Sequence, residues 1–153
     1  MTLLEIGLGL VLLAAPPASA AETAVASVLD GWHAAAAAAS EERYFAYFTP
    51  DAVFLGTDAT ERWTRDEFRK YAHPYFAKGK AWSFSATRRA VMLSDDGAFA
   101  WFDEDLATPN LGPARGSGVL RKLRRVGKSG GAWRLLHYNL PSTAPNDRSE
   151  DVQ

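Results

Sequence analysis

The run AFAWFDEDL (98–106) is followed after eight residues by RGSGVLRKLRR (115–125) and, past a Gly-rich turn, by AWRLLHYNL (132–140). Three apolar-rich runs of strand length with turn residues between them read as a meandering antiparallel sheet. Ahead of them, Trp82-Ser83-Phe84-Ser85-Ala86-Thr87 alternates apolar and polar, the pattern of a half-buried strand. That strand continues to Leu93, and Ser94-Asp95-Asp96-Gly97 turns the chain into the next one. Everything further upstream reads as material to cover one face of the sheet.

The covering material is helical. Over Glu22–Ser40, Val25, Val28, Leu29 and Trp32 recur at helical spacing, and the Ala34–Ala39 run has high helix propensity. His33 reads as a surface or boundary residue of this helix. Glu41–Phe48 is a second, shorter helix with an aromatic surface, ended by Thr49-Pro50-Asp51, and Ala52–Leu55 is a short strand closed by Gly56. Thr64-Arg65-Asp66-Glu67 is a capping box, opening a helix with Phe68, Tyr71, Ala72, Tyr75 and Phe76 on one face. Pro74 removes the bond to the Lys70 carbonyl, which predicts a kink or an early stop, and Gly79 ends the helix. The order predicts an α+β fold, a cone-shaped curved antiparallel sheet with helices packed on its concave face and a pocket between the layers.

The chain has 153 residues and 47% hydrophobic content, which suits one domain with a real core. A net charge of −1 gives no global field for nucleic acid or an anionic membrane. With no cysteine there are no disulfides, thiol catalysis or thiolate metal sites. Residues 1–20 read as a cleaved secretory signal: an apolar run from Ile6 to Ala15, Pro16-Pro17, then Ala18-Ser19-Ala20 before Ala21. The leader departs from the usual pattern in having no Lys or Arg and carrying Glu5. Its apolar run is shorter than the roughly 20 residues that span a bilayer, so no stable membrane anchor is expected. The expected product is periplasmic or secreted, with a domain over 21–147 and a disordered tail over 148–153.

With these elements in place, the sequence resembles the SnoaL-like branch of the nuclear transport factor two superfamily. The resemblance rests on FTPDAVFLGTD (48–58), AWFDEDL (100–106), RGSGVL (115–120), WRLLHYNL (133–140) and Pro145-Asn146-Asp147. The first and fourth stretches are shared loosely across the superfamily, the second and third within a subgroup of small, often exported bacterial proteins. The resemblance implies the cone-shaped fold but selects no activity, since members include cyclases, isomerases, epoxide hydrolases, dehydratases and oligomeric binding modules.

The chemistry must therefore come from the residues. Along 98–106 one face carries Ala98, Ala100, Phe102, Glu104 and Leu106, the other Phe99, Trp101, Asp103 and Asp105. Glu104 is the lone acid in an apolar row, so it is the desolvated carboxylate and a candidate general acid or base. Pairing Leu106 with Arg115 would set Glu104 opposite Ser117 and diagonally near Arg115, an internal ion pair. Gly116-Ser117-Gly118 lacks the spacing of a nucleophile elbow, and its glycines mark bends or close packing, one of them under Trp101. His137 is the best histidine candidate for catalysis, its face depending on the hairpin register. His33, His73 and His137 lack metal-ligand spacing, and no phosphate loop or dinucleotide fingerprint occurs, so no metal and no cofactor are expected. Arg121, Lys122, Arg124, Arg125, Lys128 and Arg134 read as a solvated hairpin rather than a nucleic-acid surface.

Three functions fit these residues. One is an exported module binding a small apolar molecule, with Tyr44, Trp63, Phe102, Glu104, Arg115, Ser117 and His137 around the ligand. A second is an acid/base enzyme of isomerase, cyclase or hydrolase type that needs no cofactor, using Glu104 or Asp103 with Tyr44 or His137. The third is an interaction module, a homodimer through the outer sheet face at Phe99 and Trp101. The binding module is the preferred reading and is compatible with the homodimer.

Overall fold

A computed structural model describes residues 18–109, 114–124 and 131–143. Three helices, α1 (Ala20–Ala37), α2 (Glu41–Ala46) and α3 (Arg65–Ala77), lie with six strands: β1 (Phe48–Leu55), β2 (Arg62–Thr64), β3 (Ser85–Leu93), β4 (Phe99–Ala107), β5 (Ala114–Leu123) and β6 (Ala132–Asn139). The strands form one curved, unclosed sheet in the order β2-β1-β6-β5-β4-β3. Only β1 and β6 pair in parallel, and the other neighbours are antiparallel. The α+β class and the helix-covered sheet expected above are what the chain adopts. The leader through Pro17 and the tail over 148–153 lie outside the described residues.

Helix α1 begins before Glu22 because Ser19 caps it: the Ser19 hydroxyl accepts from the Glu22 N–H, while the Glu22 carboxylate reaches back to the cap. It ends before Ser40, where Ala39 turns through a left-handed φ of 50°. The second helix stops short of Phe48, and β1 takes in the residues read as a helix end. Pro50 fits inside β1 because the register with β6 shifts between Phe48 and Val53, so no ladder donor is demanded of it. Strand β2 has three residues, too few to show an alternation. In α3 the helix runs through Pro74 to Ala77, beyond the expected stop. The carbonyl that Pro74 leaves unbonded belongs to exposed Lys70, on the solvated side of the helix, where losing one donor costs least. Gly79, at φ 67°, then closes the helix with two bonds, Gly79 N–H to the Phe76 carbonyl and Lys80 N–H to the Tyr75 carbonyl.

Helix α1 packs on β3 and β6, α3 on β1 and β2. The core between them is aromatic: the buried Tyr44 ring lies against Trp32, Phe45, Phe48, Phe68, Phe76 and Trp82. Strand β4 alternates as its sequence predicts. Ala100, Phe102, Glu104 and Leu106 are buried, whereas Phe99 and Trp101 are 39% and 44% exposed on the outer face.

The β4–β5 register differs by one residue from the expected one: Leu106 opposes Ala114, which puts Glu104 opposite Gly116 and Asp105 opposite Arg115. A one-residue slip exchanges the faces, and only this register keeps Arg115 out of the apolar layer. A second irregularity decides the face of His137. Leu135 pairs with Leu120 but His137 pairs with Val119, leaving Leu136 as the extra residue of a bulge. The bulge turns Tyr138 inwards, where it is buried, and sets His137 on the outer face in line with Val119 and Trp101.

Candidate functional site

The site is built around Glu104, which is fully buried. Its Oε1 lies 2.7 Å from His33 Nε2 and its Oε2 accepts from Arg89 Nε at 2.9 Å. Arg89, from β3, also donates to Asp30 at 2.8 Å and to the Ala26 carbonyl at 3.2 Å, tying the strand to α1. Burial pulls the Arg89 guanidinium down, but its bonds to Asp30 and Glu104 outweigh that and leave it raised. A carboxylate that accepts from a guanidinium is an acceptor for His33 as well, so Nε2 carries the ring proton. In the tautomer that donates from Nε2, Nδ1 carries the lone pair, and it makes no hydrogen bond among the described residues. A carboxylate that fixes a histidine tautomer in this way is a positioning group, and the imidazole is the group able to move a proton.

His33 forms part of the wall of a cavity of about 240 Å³ between α1, α2, α3 and the sheet. Most of the wall is apolar or aromatic, including Phe54, Phe68, Trp82, Phe84 and Leu140. Three polar atoms of lining residues stand out: the Trp32 indole N–H and the hydroxyls of Tyr44 and Tyr138 are buried and have no hydrogen-bond partner among the described residues. Leaving a buried donor unpaired costs about 1–3 kcal/mol, so three on one cavity call for an explanation. Burial pushes the Tyr44 phenol well up; the indoles of Trp82 and Trp32 oppose this, without hydrogen-bond geometry to the hydroxyl. Burial, and then the Glu104 charge, push the Tyr138 phenol well up. Both phenols therefore remain protonated donors at neutral pH.

Gly116 makes this arrangement possible. A Cβ there would lie 2.4 Å from the Tyr138 hydroxyl and 2.9 Å from Glu104 Oε1, so the absent side chain leaves the space that these two oxygens flank. Gly118 likewise packs against the His137 carbonyl and the Phe102 ring. These glycines serve close packing, as expected, with the Tyr138 hydroxyl against Gly116 and the Phe102 ring against Gly118.

Of the residues expected at the ligand, Tyr44 and Trp63 line the cavity. Glu104 stands directly behind His33. Phe102 is buried behind Tyr138, with ring centroids 6.1 Å apart. Arg115 and Ser117 are corrections: both lie on the outer face, Arg115 3.7 Å from Asp105 and Ser117 opposite Asp103. His137 is a third correction, placed outside by the β6 bulge. The expected Glu104–Arg115 pair is replaced by Glu104–Arg89, and Asp103 bonds to Arg88 on the outer face. His33, expected as a surface or boundary residue, is 7% exposed inside the site. Its signal was present in sequence, since Leu29, Trp32, His33 and Ala36 continue the helical spacing of the buried face. Of the basic run, Arg125 and Lys128 lie outside the described residues; Arg121 bonds to Asp51 and Lys122 lies over the Trp133 ring. Among the described residues no three His, Asp or Glu side chains converge to hold a metal.

A cavity between a curved sheet and three helices is the architecture onto which the comparisons fall. The family model of the SnoaL-like domain matches residues 25–145. The chain belongs to this family. Solved structures with the same fold include an NTF2-like protein of unknown function from Pseudomonas putida KT2440, with TM-score 0.65 and 14% identity over 84% of this SnoaL-like chain and 90% of that one. A ketosteroid isomerase-like protein from Erwinia carotovora atroseptica aligns with TM-score 0.57 and 14% identity, over 82% and 98% of the two chains. A cystatin-like fold protein from Burkholderia xenovorans aligns with TM-score 0.62 and 16% identity, over 82% and 93%. At such identities the likeness is one of fold. No curated protein matches the sequence.

Proposed function

We propose that this SnoaL-like domain binds a small, mostly apolar molecule that presents a hydrogen-bond acceptor, such as a carbonyl or phenolate oxygen, to the inner end of the cavity. The observation that carries the reading is the set of three buried donors with no partner among the described residues, Trp32 Nε1, Tyr44 Oη and Tyr138 Oη, each on a residue that lines one aromatic cavity. An acceptor atom there would satisfy what the protein leaves unsatisfied, while the rings supply apolar contact. The leader sequence supports export of this module, and the aromatic outer face supports a homodimer. Mass spectrometry of protein taken from its native host tests the reading: a copurifying small molecule with an acceptor oxygen is expected, lost in Tyr44→Phe/Tyr138→Phe. A molecule retained equally by that variant would refute the role given to the phenols.

A second reading is supported by the His33–Glu104 contact of 2.7 Å. With Nε2 held by Glu104, Nδ1 can take a proton from a carbon or oxygen acid while the phenols stabilise the oxyanion that forms. This reading is an acid/base enzyme of isomerase or hydrolase type. It requires His33→Gln to abolish turnover of a copurified compound while retaining its binding.

A further inference from the structure

The outer end of the cavity differs chemically from the inner end. It is formed by the β1–β2 turn and α3, where Glu61, Trp63, Tyr71 and Tyr75 line the wall. Tyr71 and Tyr75 are 45% and 46% exposed, unusual for large rings beside a core. They are not isolated: Tyr71 stacks on Trp63 with centroids 4.7 Å apart, and Tyr75 lies 5.8 Å from Tyr71. Trp63 in turn stacks on buried Phe68, so an aromatic series runs from the surface to the core.

Among the described residues, Glu61 is the only acidic side chain on this wall, and no Lys or Arg lines it. Its neighbours in sequence are already engaged: Asp58 accepts from Thr60, Glu67 caps α3 through Thr64, and Asp66 pairs with Arg65. Glu61 Oε2 accepts a single backbone bond, from Asp58 N–H at 3.1 Å, and no cation pairs with it among the described residues. The carboxylate is held over Gly56, where a Cβ would lie 2.1 Å from Oε2, so its position is set by the turn. Its charge also acts on the Tyr71 phenol, which is raised by Tyr75 first, then by burial and by Glu61.

A fixed carboxylate without a counter-ion, beside three accessible aromatic rings, is the composition that receives an organic cation. We propose that Glu61, Trp63, Tyr71 and Tyr75 form a cation-receiving mouth, so that the ligand is an apolar or aromatic amine or quaternary ammonium whose charged end faces outwards. This inference rests on the cavity being a ligand site, and adds the class of ligand it takes. The carboxylate supplies charge attraction and the rings supply cation–π contact, while the apolar body lies on Phe54, Phe68 and Trp82.

Two probes of one shape separate the parts. Benzyltrimethylammonium carries the charge, and neopentylbenzene is its neutral isostere. Binding of each to the full chain is followed by tryptophan fluorescence, since Trp32, Trp63 and Trp82 line the cavity. The cation is expected to bind about three- to tenfold more tightly than the isostere at low salt, an advantage that shrinks with added salt. Glu61→Gln retains the acceptor for Asp58 N–H and should remove most of that advantage without changing the affinity for neopentylbenzene. Tyr75→Leu, at an exposed position, should reduce it independently of Glu61. Equal or weaker binding of the cation, with the isostere still bound, overturns the mouth and leaves the cavity reading intact. Failure of both probes to bind overturns the mouth, whereas the acceptor-binding reading, whose ligand carries an oxygen that neither probe has, stands or falls on the copurified molecule.

Discussion

At the scale of single residues, the decisive feature is an ion pair in the wrong place for a simple account of stability. Glu104 and Arg89 are a buried pair whose desolvation offsets much of their attraction, so the pair adds little net stability. Removing one partner is different. Glu104→Ala leaves Arg89, its side chain 11% exposed, without its inner acceptor and should cost about 3–5 kcal/mol in a denaturant melt. Asp103→Asn, on the outer face with Arg88, should cost under about 1 kcal/mol. A larger loss for Asp103→Asn than for Glu104→Ala would reverse the faces assigned to β4. The phenols give a pH signature. Tyr44 and Tyr138 are raised well above 10 in the folded chain. Their contribution is complete below the unfolded tyrosine pKa of about 10. Above it the unfolded chain loses protons that the folded one keeps, so stability falls as pH rises, by up to about 1.4 kcal/mol per pH unit for each phenol. Denaturation between pH 9 and 11 should therefore show a shallower fall in Tyr44→Phe than in the parent, and parallel slopes would contradict it.

At the scale of elements, β5 and β6 place the site through two departures from regular strand geometry. Gly116 leaves room for the Tyr138 hydroxyl, and the extra residue Leu136 turns Tyr138 towards that room. Gly116→Ala should destabilise by about 1–3 kcal/mol, because the new methyl meets two oxygens that packing holds in place. In a Tyr138→Phe background one of those oxygens is gone, so the same substitution should cost less. A double-mutant cycle on thermal melts measures the difference, and full additivity would show that the hydroxyl does not occupy that space. Helix α3 is instructive in the same way. Pro74 alone predicts a kink or a stop, and the stop does not occur because the lost bond lies on the solvated side of the helix and Gly79 supplies a full C-terminal cap.

At the scale of the whole molecule, one face of the sheet is covered by helices, and among the described residues no helix covers the other. Phe99 and Trp101 stand exposed on that other face, flanked by the Arg88–Asp103, Arg88–Asp105 and Arg121–Asp51 pairs. Exposed aromatic surface with paired charges around it suits a self-complementary contact. Light scattering should give about twice the monomer mass, and Trp101→Glu should shift the chain towards monomer. A dimer unchanged by that substitution would move the interface elsewhere.

The sequence by itself determined the α+β class, the order of most elements, the faces of β4 and the burial of Glu104. Each follows from local periodicity or alternation, which a single segment carries whole. Trp63 and Tyr44, named from the sequence among the ligand residues, line the cavity, although their local patterns by themselves suit core packing as well. Only the tertiary structure decided which groups meet Glu104. His33 and Arg89 come from two other elements, and pairing across 71 and 15 residues has no local pattern to announce it. The faces of Arg115, Ser117 and His137 likewise depended on one residue of register and one bulge. Strand side chains alternate with a period of two, so the smallest shift in pairing moves a residue from the cavity to solvent.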